Sequence, residues 1–321
     1  MENIDVLEQT IEDIDYNLLK ILLKDKTTGK YILWATDDYE PFGHEYKCNK
    51  EIIPALIIGN FKNLIQPRVF KKKSEQMKRT REKGEIFTPS WLCNAQNNLV
   101  DDEWFGEKNI FNNSDGFKWN TNNNPIRFPK GKKWTHYVDA RRLEISCGEA
   151  PYLVSRYDTI SGKPISIINR IGLLDRKLRV VSENSESEEE WFKWTVRAFQ
   201  SVYGFEFQGD NVLLARKNLL YSFIDYFNFK FNKEPSLVQI KKIAIIISWN
   251  IWQMDGLTCS IPYSNISSLN NEIPFFDMFG SSEDKNNKNN NDNKDNDYVY
   301  SKVRDWRANK SLEFRTLINS R

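Results

Sequence analysis

The chain is poor in the residues that carry most metal and nucleophilic chemistry. Its four cysteines (Cys48, Cys93, Cys147, Cys259) lie far apart with no Cys-x-x-Cys pair, and His44 and His136 are its only histidines. That scarcity argues against a Cys/His zinc site and leaves few candidates for a histidine-dependent triad, so no metal is expected. Charge of one sign is also lacking: 46 Lys+Arg against 44 Asp+Glu leave +2, so any affinity for nucleic acid must come from local clustering. No apolar run reaches the roughly 18 residues of a membrane span, and the opening MENIDVLEQTIEDIDYN has neither the basic nor the apolar region of a secretion signal. A cytoplasmic, reducing setting with no membrane partner is the expectation.

What is present is a folding chain. Hydrophobic residues make up 40% and aromatics 13%, with ten tryptophans, too much apolar surface for disorder. At about 150 residues per domain, 321 residues allow two domains or one large one. Leu7, Ile11, Ile14, Leu18 and Ile21 form a one-faced stripe that predicts a helix over 4–22, although from Leu18 onward the chain reads equally as a strand pairing with Tyr31–Ala35 through the turn Lys26–Gly29. Residues 62–83 hold nine Lys/Arg against two Glu. This concentration is either a solvated helix face or a phosphate-contacting surface, for which Lys71, Lys72, Lys73, Lys78, Arg79 and Arg81 are the candidates.

Further along, 109–134 reads as an Asn-rich loop and Ser182–Glu190 as an acidic surface connection. Between them RRLEISCGEAPYLV reads as strand, turn, helix. Helices are expected at Trp191–Gln200, Asn211–Phe227 and 235–248, the last opening at Ser236, with a strand at Val202–Phe207. Residues 281–297, almost wholly Asn, Asp, Lys, Glu and Ser, are expected to be a disordered insertion, and Tyr298–Ile318 a final helix. Alternating strands and helices predict an α/β sheet.

Three acids end apolar strands: Glu144 before the tight turn Ser146-Cys147-Gly148, Glu206 at the end of SVYGFEF, and Asp255 after SWNIWQM. Ligands of α/β sheets sit at such ends, where a glycine admits close backbone approach and an acid accepts hydrogen bonds from ribose hydroxyls or an adenine amine. Each alone is equally an ordinary turn or a capping carboxylate. Upstream, Phe87-Thr88-Pro89 sets an aromatic and a fixed turn before a helix.

Taken in order, these segments resemble S-adenosylmethionine-dependent DNA adenine methyltransferases, the modification subunits of restriction–modification systems. GEIFTPSWL is similar to their opening motif, LEISCGEAPYL to their cofactor loop, YGFEFQGDNVLLARKNLL to their ribose-binding segment and NIWQMDGL to the segment after it. The matches span roughly residues 78–258. The resemblance implies a Rossmann-like methyltransferase fold with a doubly wound, mostly parallel sheet over 71–270, an N-terminal extension over 1–70 and a tail over 271–321. It implies that Phe87, Thr88 and Pro89 contact the cofactor, that Glu144 and Gly148 shape the loop around its methionine part, that Glu206 holds the ribose, and that Asp255 faces the adenine. Double-stranded DNA and a restriction or specificity subunit are the implied partners.

Two departures stand out. Ala150-Pro151 replaces the usual Gly and small residue of the loop, stiffening it. No Asn-Pro-Pro-Tyr follows Asp255, although that tetrapeptide orients the target amine and stacks on the flipped base. The nearest substitutes are Ser260-Ile261-Pro262-Tyr263, making Pro262 and Tyr263 the catalytic candidates, and Asn124-Pro125-Ile126. The alternative to an active enzyme is a noncatalytic methyltransferase-fold partner binding cofactor or DNA in a defence or mobile-element assembly. A nuclease is disfavoured, since no Asp…Glu-x-Lys constellation falls on a strand.

Overall fold

The structure, a computed structural model, describes residue 11 and residues 14–61, 63–265 and 298–318. Leu7, Lys62 and the insertion expected at 281–297 lie outside the described residues. Helix α1 (Tyr16–Leu23) starts where the Asp15 carboxylate accepts the Asn17 N–H and buries Leu18, Leu19, Leu22 and Leu23. Both readings of this stretch contribute, because Lys24, just past the helix, bridges Tyr31 in antiparallel fashion. Next come α2 (Lys73–Lys83), α3 (Ser90–Phe105), an antiparallel hairpin of β1 (Asn112–Asp115) and β2 (Lys118–Thr121), and α4 (Trp134–Asp139). The hairpin corrects the expectation of a structureless loop: Gly116, at φ +57°, supplies the turn, and hydrogen bonds from Asn94 and Asn98 of α3 to Asn112 and Ser114 substitute for the apolar alternation that usually marks strands.

The centre is a three-stranded parallel sheet in the order β3 (Arg142–Glu144), β4 (Val202–Glu206), β5 (Ile251–Gln253). The molecule is therefore mixed α/β with a small parallel sheet. Between β3 and β4 lie α5 (Leu173–Asn184) and α6 (Glu188–Gln200); between β4 and β5 lie α7 (Gly209–Phe231) and α8 (Leu237–Asn250). The strand and turn at 142–148 form as expected, but no α-helix follows until Leu173, with a single 3-10 turn at Ile167–Asn169 between them. The acidic 182–190 stretch is mostly helical: only residues 185–187 connect α5 to α6, Ser187 caps α6, and Glu188, Glu189 and Glu190 sit in its first turn, where the helix dipole favours them. Ser236 opens α8 through a capping box with Gln239.

Each face of a parallel sheet needs a cover. Val202 and Ile251 point into the main core with α7, α8 and the N-terminal residues Leu18, Leu22 and Trp34. Phe205 and Trp252 point the other way into a smaller core closed by Val303 and Phe314. Those two closing residues belong to a hairpin, β6 (Lys302–Asp305) with β7 (Lys310–Glu313), and to the short α9 (Phe314–Ile318). The single helix expected over Tyr298–Ile318 is thus corrected: a two-residue alternation brings Val303 inward, which a helix over this stretch would not. At β5 the N-terminal segment is tied to the sheet through a side chain. The Gln253 amide accepts the Leu33 N–H at 2.7 Å and donates to the Leu33 carbonyl at 2.9 Å. Gly209, opening α7, allows this approach, since a Cβ there would lie 1.9 Å from the Leu33 carbonyl oxygen.

Candidate ligand site at the carboxyl ends of the parallel strands

Three distant segments meet where β3 and β4 end. After β3 the backbone turns sharply, with Ser146, Gly148 and Ala150 all at positive φ. Such alternation turns successive N–H groups toward one concavity. The Gly148 N–H points at Glu206 Oε2, 2.9 Å away, while Oε1 accepts the Gln208 N–H at 3.2 Å. The Phe87 ring lies over Gly148: a Cβ at that glycine would be 3.5 Å from Phe87 Cζ, and its φ of +52° disfavours a side chain in any case. On its other side Phe87 meets the Arg68 guanidinium, 5.4 Å from the ring centroid. The Thr88 carbonyl accepts the Thr159 hydroxyl at 2.8 Å, and Pro89 is the N-cap of α3.

Glu144, at the end of β3, is buried. Its Oε1 accepts the Tyr152 N–H at 3.3 Å, and its Oε2 has no partner among the described residues. Burial pushes the Glu144 carboxyl up to about 8, with the charge of Glu206 contributing. Burial also raises Glu206, against the opposing pull of the Gly148 and Gln208 N–H groups. Glu149, in the same turn, is pushed up to about 7 by burial although Tyr157 and the Arg68 N–H hydrogen-bond to it. The strand ends thus concentrate three buried carboxyl groups, and a cationic ligand group is what such a site favours.

Asp255 follows β5 and folds into a tight turn, with Oδ1 accepting the Leu257 N–H at 2.8 Å and the backbone bridging Ser260. Pro262 is buried; the Tyr263 ring, partly exposed, packs edge-on against Phe207, the residue after Glu206, at 5.9 Å. Ser260 is buried, and its hydroxyl lies 2.7 Å from that of Thr258. Thus Phe87, Glu144, Gly148 and Glu206 come together, and Tyr263 stands beside the residue following Glu206.

The basic segment divides in two. Lys72, at the N-cap of α2, and Lys73, Lys78 and Arg81 on it are exposed. Lys71 and Arg79 are not available for phosphate and are corrected to a structural role, because both are buried in an ion network around Asp210 at the start of α7. Arg79 reaches Asp210 Oδ2 and Asp38 Oδ2 through Nη1 at 2.9 Å and Glu85 Oε2 through Nη2 at 2.6 Å; Lys71 reaches Asp210 Oδ2 at 3.1 Å. Burial opposes the Asp210 charge, but Arg79 and Lys71 overcome it and hold its carboxyl well below the usual range. The network clamps the segment carrying Phe87 onto α7.

Sequence reasoning missed Glu85, Asp210 and Asp38 as partners of this run: only Glu85 lies near it in sequence, while Asp38 and Asp210 are 41 and 131 positions from Arg79. The helix expected after Pro89 is α3, and what its sequence does not signal is its docking: the Asn97 amide donates to the Tyr152 and Ile171 carbonyls and Asp101 pairs with Arg176 at 2.6 Å, tying this helix to the loop after β3. A cavity of about 340 Å³, lined by Thr135, His136, Asp139, Trp194 and Arg197, lies near the amino ends of the strands, away from these carboxylates. Among the described residues no helix is long and apolar enough to cross a membrane. Comparison of the chain with family models, curated proteins and solved structures finds no match.

Proposed function

We propose that this chain is an S-adenosylmethionine-dependent DNA methyltransferase, acting on the exocyclic amine of adenine within a restriction–modification system, and that its parallel strands belong to a Rossmann-like, doubly wound design. The observation that carries the reading is the meeting of Phe87, Gly148 and Glu206 at the carboxyl ends of adjacent parallel strands. The fit to the cofactor rests on charge: Glu144 has a buried, unpartnered oxygen beside a second buried carboxylate, and the cofactor carries an ammonium and a sulfonium.

When bound, that group supplies an electrophilic methyl. Glu206 is held by two backbone N–H groups, and each of its oxygens has a further lone pair for a ribose hydroxyl. Glu144 and Gly148 shape the turn against the methionine part, Phe87, Thr88 and Pro89 close the site against water, and Asp255 faces the adenine. The Tyr263 ring beside Phe207 offers a stacking surface for a base turned out of the duplex, with Pro262 fixing the turn before it. Exposed Lys72, Lys73, Lys78 and Arg81 contact DNA phosphates, and a specificity subunit supplies sequence choice.

One observation favours the second reading, a noncatalytic partner that retains cofactor or DNA binding. The Ser260 hydroxyl is engaged with Thr258 and Ser260 brings no amide carbonyl to orient an amine, so transfer would need an orienting group from elsewhere. Equilibrium binding of S-adenosylmethionine tests what the two readings share. Glu206→Ala is expected to weaken affinity at least about tenfold, about 1.4 kcal/mol. Unchanged affinity in a folded variant would overturn the ribose assignment, and binding without methyl transfer to adenine-containing duplexes would select the noncatalytic reading.

A further inference from the structure

Across the sheet from the carboxylates, α4 and α6 line the cavity of about 340 Å³ near the amino ends of β3 and β4. That volume is at the lower end of the range for small-molecule sites. Trp194 forms one wall and is held by Trp134, the two ring centroids lying 4.9 Å apart at 62°. Around the indole stand nitrogen donors from Lys193, Arg197 and His136. Lys193 is exposed and has no ion-pair partner among the described residues. Arg197 gives Nε to Asp139 and Nη1 to the Gln200 side-chain oxygen, which leaves Nη2 for a ligand. His136 Nδ1 accepts the Lys133 N–H at 3.2 Å, so Nε2 carries the ring hydrogen and donates. Asp139 is the only carboxylate lining the cavity, and Arg307 pairs with it as Arg197 does. Three cations, Lys193, Arg197 and Arg307, against this one carboxylate leave an excess of two positive charges.

We propose that this cavity is a second ligand site, for a mononucleotide, with the base against Trp194 and the phosphate among Lys193, Arg197 and His136. A phosphate monoester carries about −1.5 to −2 charge and three acceptor oxygens, which matches the excess charge and the three donors. A carboxylate, singly charged with two oxygens, leaves a charge and a donor over. The indole wall calls for an aromatic group on the same ligand, and because every base has a stacking face the site accepts nucleotides without reading the base. The Thr135 hydroxyl and the Gln200 amide nitrogen line the same cavity and serve the sugar. The small volume admits one nucleotide, not a strand. The inference stands whichever ligand the strand ends hold, since the two sites lie at opposite ends of the sheet.

Calorimetric titration of the full chain at pH 7 with AMP, GMP, CMP and UMP tests it, with adenosine and inorganic phosphate as half-ligands. Each mononucleotide is expected to bind at least about tenfold tighter than either half-ligand. Lys193→Glu, a change at an exposed side chain that leaves the fold intact, is expected to weaken all four at least about tenfold. Trp194→Leu, checked for folding by circular dichroism, should bring the mononucleotides down to the affinity of inorganic phosphate. CMP and UMP keep this site distinct from the strand ends, where an adenine-reading pocket would take AMP alone and ignore Lys193→Glu. A 5′-phosphorylated dinucleotide separates a free nucleotide from a strand end and should bind no tighter than the mononucleotides. No binding of CMP or UMP up to about 10 millimolar, an affinity no better than that of inorganic phosphate, binding that survives Lys193→Glu, or tighter binding of the dinucleotide would each overturn the proposal.

Discussion

At the scale of the residue, environment decides what each charge does. Arg79 and Lys73 lie six positions apart in one basic run, yet Arg79 is sealed among Asp210, Asp38 and Glu85 while Lys73 is in water. Arg79→Ala is expected to cost about 3–5 kcal/mol because it strands buried carboxylates. Lys73→Ala should change stability by less than about 0.5 kcal/mol, and urea denaturation of the two variants checks both. Glu144 gives the sign of a pH effect. Its ordinary value is 4.5 and burial takes it to about 8, so the folded state keeps a proton that the unfolded chain releases. Stability from this group is fully present below about pH 4.5 and lost as pH rises through 8. Unfolding curves between pH 5.5 and 8.5 should therefore show falling stability, and Glu144→Gln should flatten the fall, leaving the shares of the other raised carboxyls, Glu149 and Glu206 among them. An unchanged slope in that variant would sink the assignment. Asp210 works in the opposite sense: its stabilisation is present above its ordinary value of 3.8 and lost as pH falls below it.

At the scale of the element, legibility follows the source of each element's stability. α7 and α8 were readable because their apolar residues recur at helical spacing and Ser236 with Gln239 forms a recognisable cap. α3 buries Asn94, Asn97 and Asp101, so its docking depends on partners such as Tyr152 and Arg176 that are distant in sequence. The β1–β2 hairpin and the β6–β7 hairpin are short and polar, and hydrophobic period alone could not separate them from a loop and a helix. Of the candidate site, Glu206 and Gly148 were legible because strand-end acids and turn glycines have a local signature, whereas the clamp of Arg79 on Asp210 spans 131 positions. Gly148 is the element-scale test. Gly148→Ala forces a side chain at φ +52° toward the Phe87 ring, a strain of about 1–3 kcal/mol. It should weaken S-adenosylmethionine binding more than an alanine at the neighbouring positive-φ residue Ser146, measured by equilibrium binding on folded variants.

At the scale of the whole molecule, a small parallel sheet gathers its carboxylates at one end and is closed on that side by a segment that a buried ion network holds in place. N-terminal residues Leu18, Leu22 and Trp34 share the core of α7 and α8, so the strand ends are supported from chain far outside the 78–258 span that carries the family resemblance. The account makes the strand-end carboxyls the receptor for a cation-bearing nucleoside. The most direct measurement is calorimetric titration of the purified chain with S-adenosylmethionine at pH 7, in two buffers of different ionisation heat so that protons are counted with the binding. The account predicts saturable one-site binding accompanied by proton release, because a cation beside Glu144 favours its ionised form. A folded sample that shows no binding up to about millimolar ligand, or that binds without releasing protons, would contradict it.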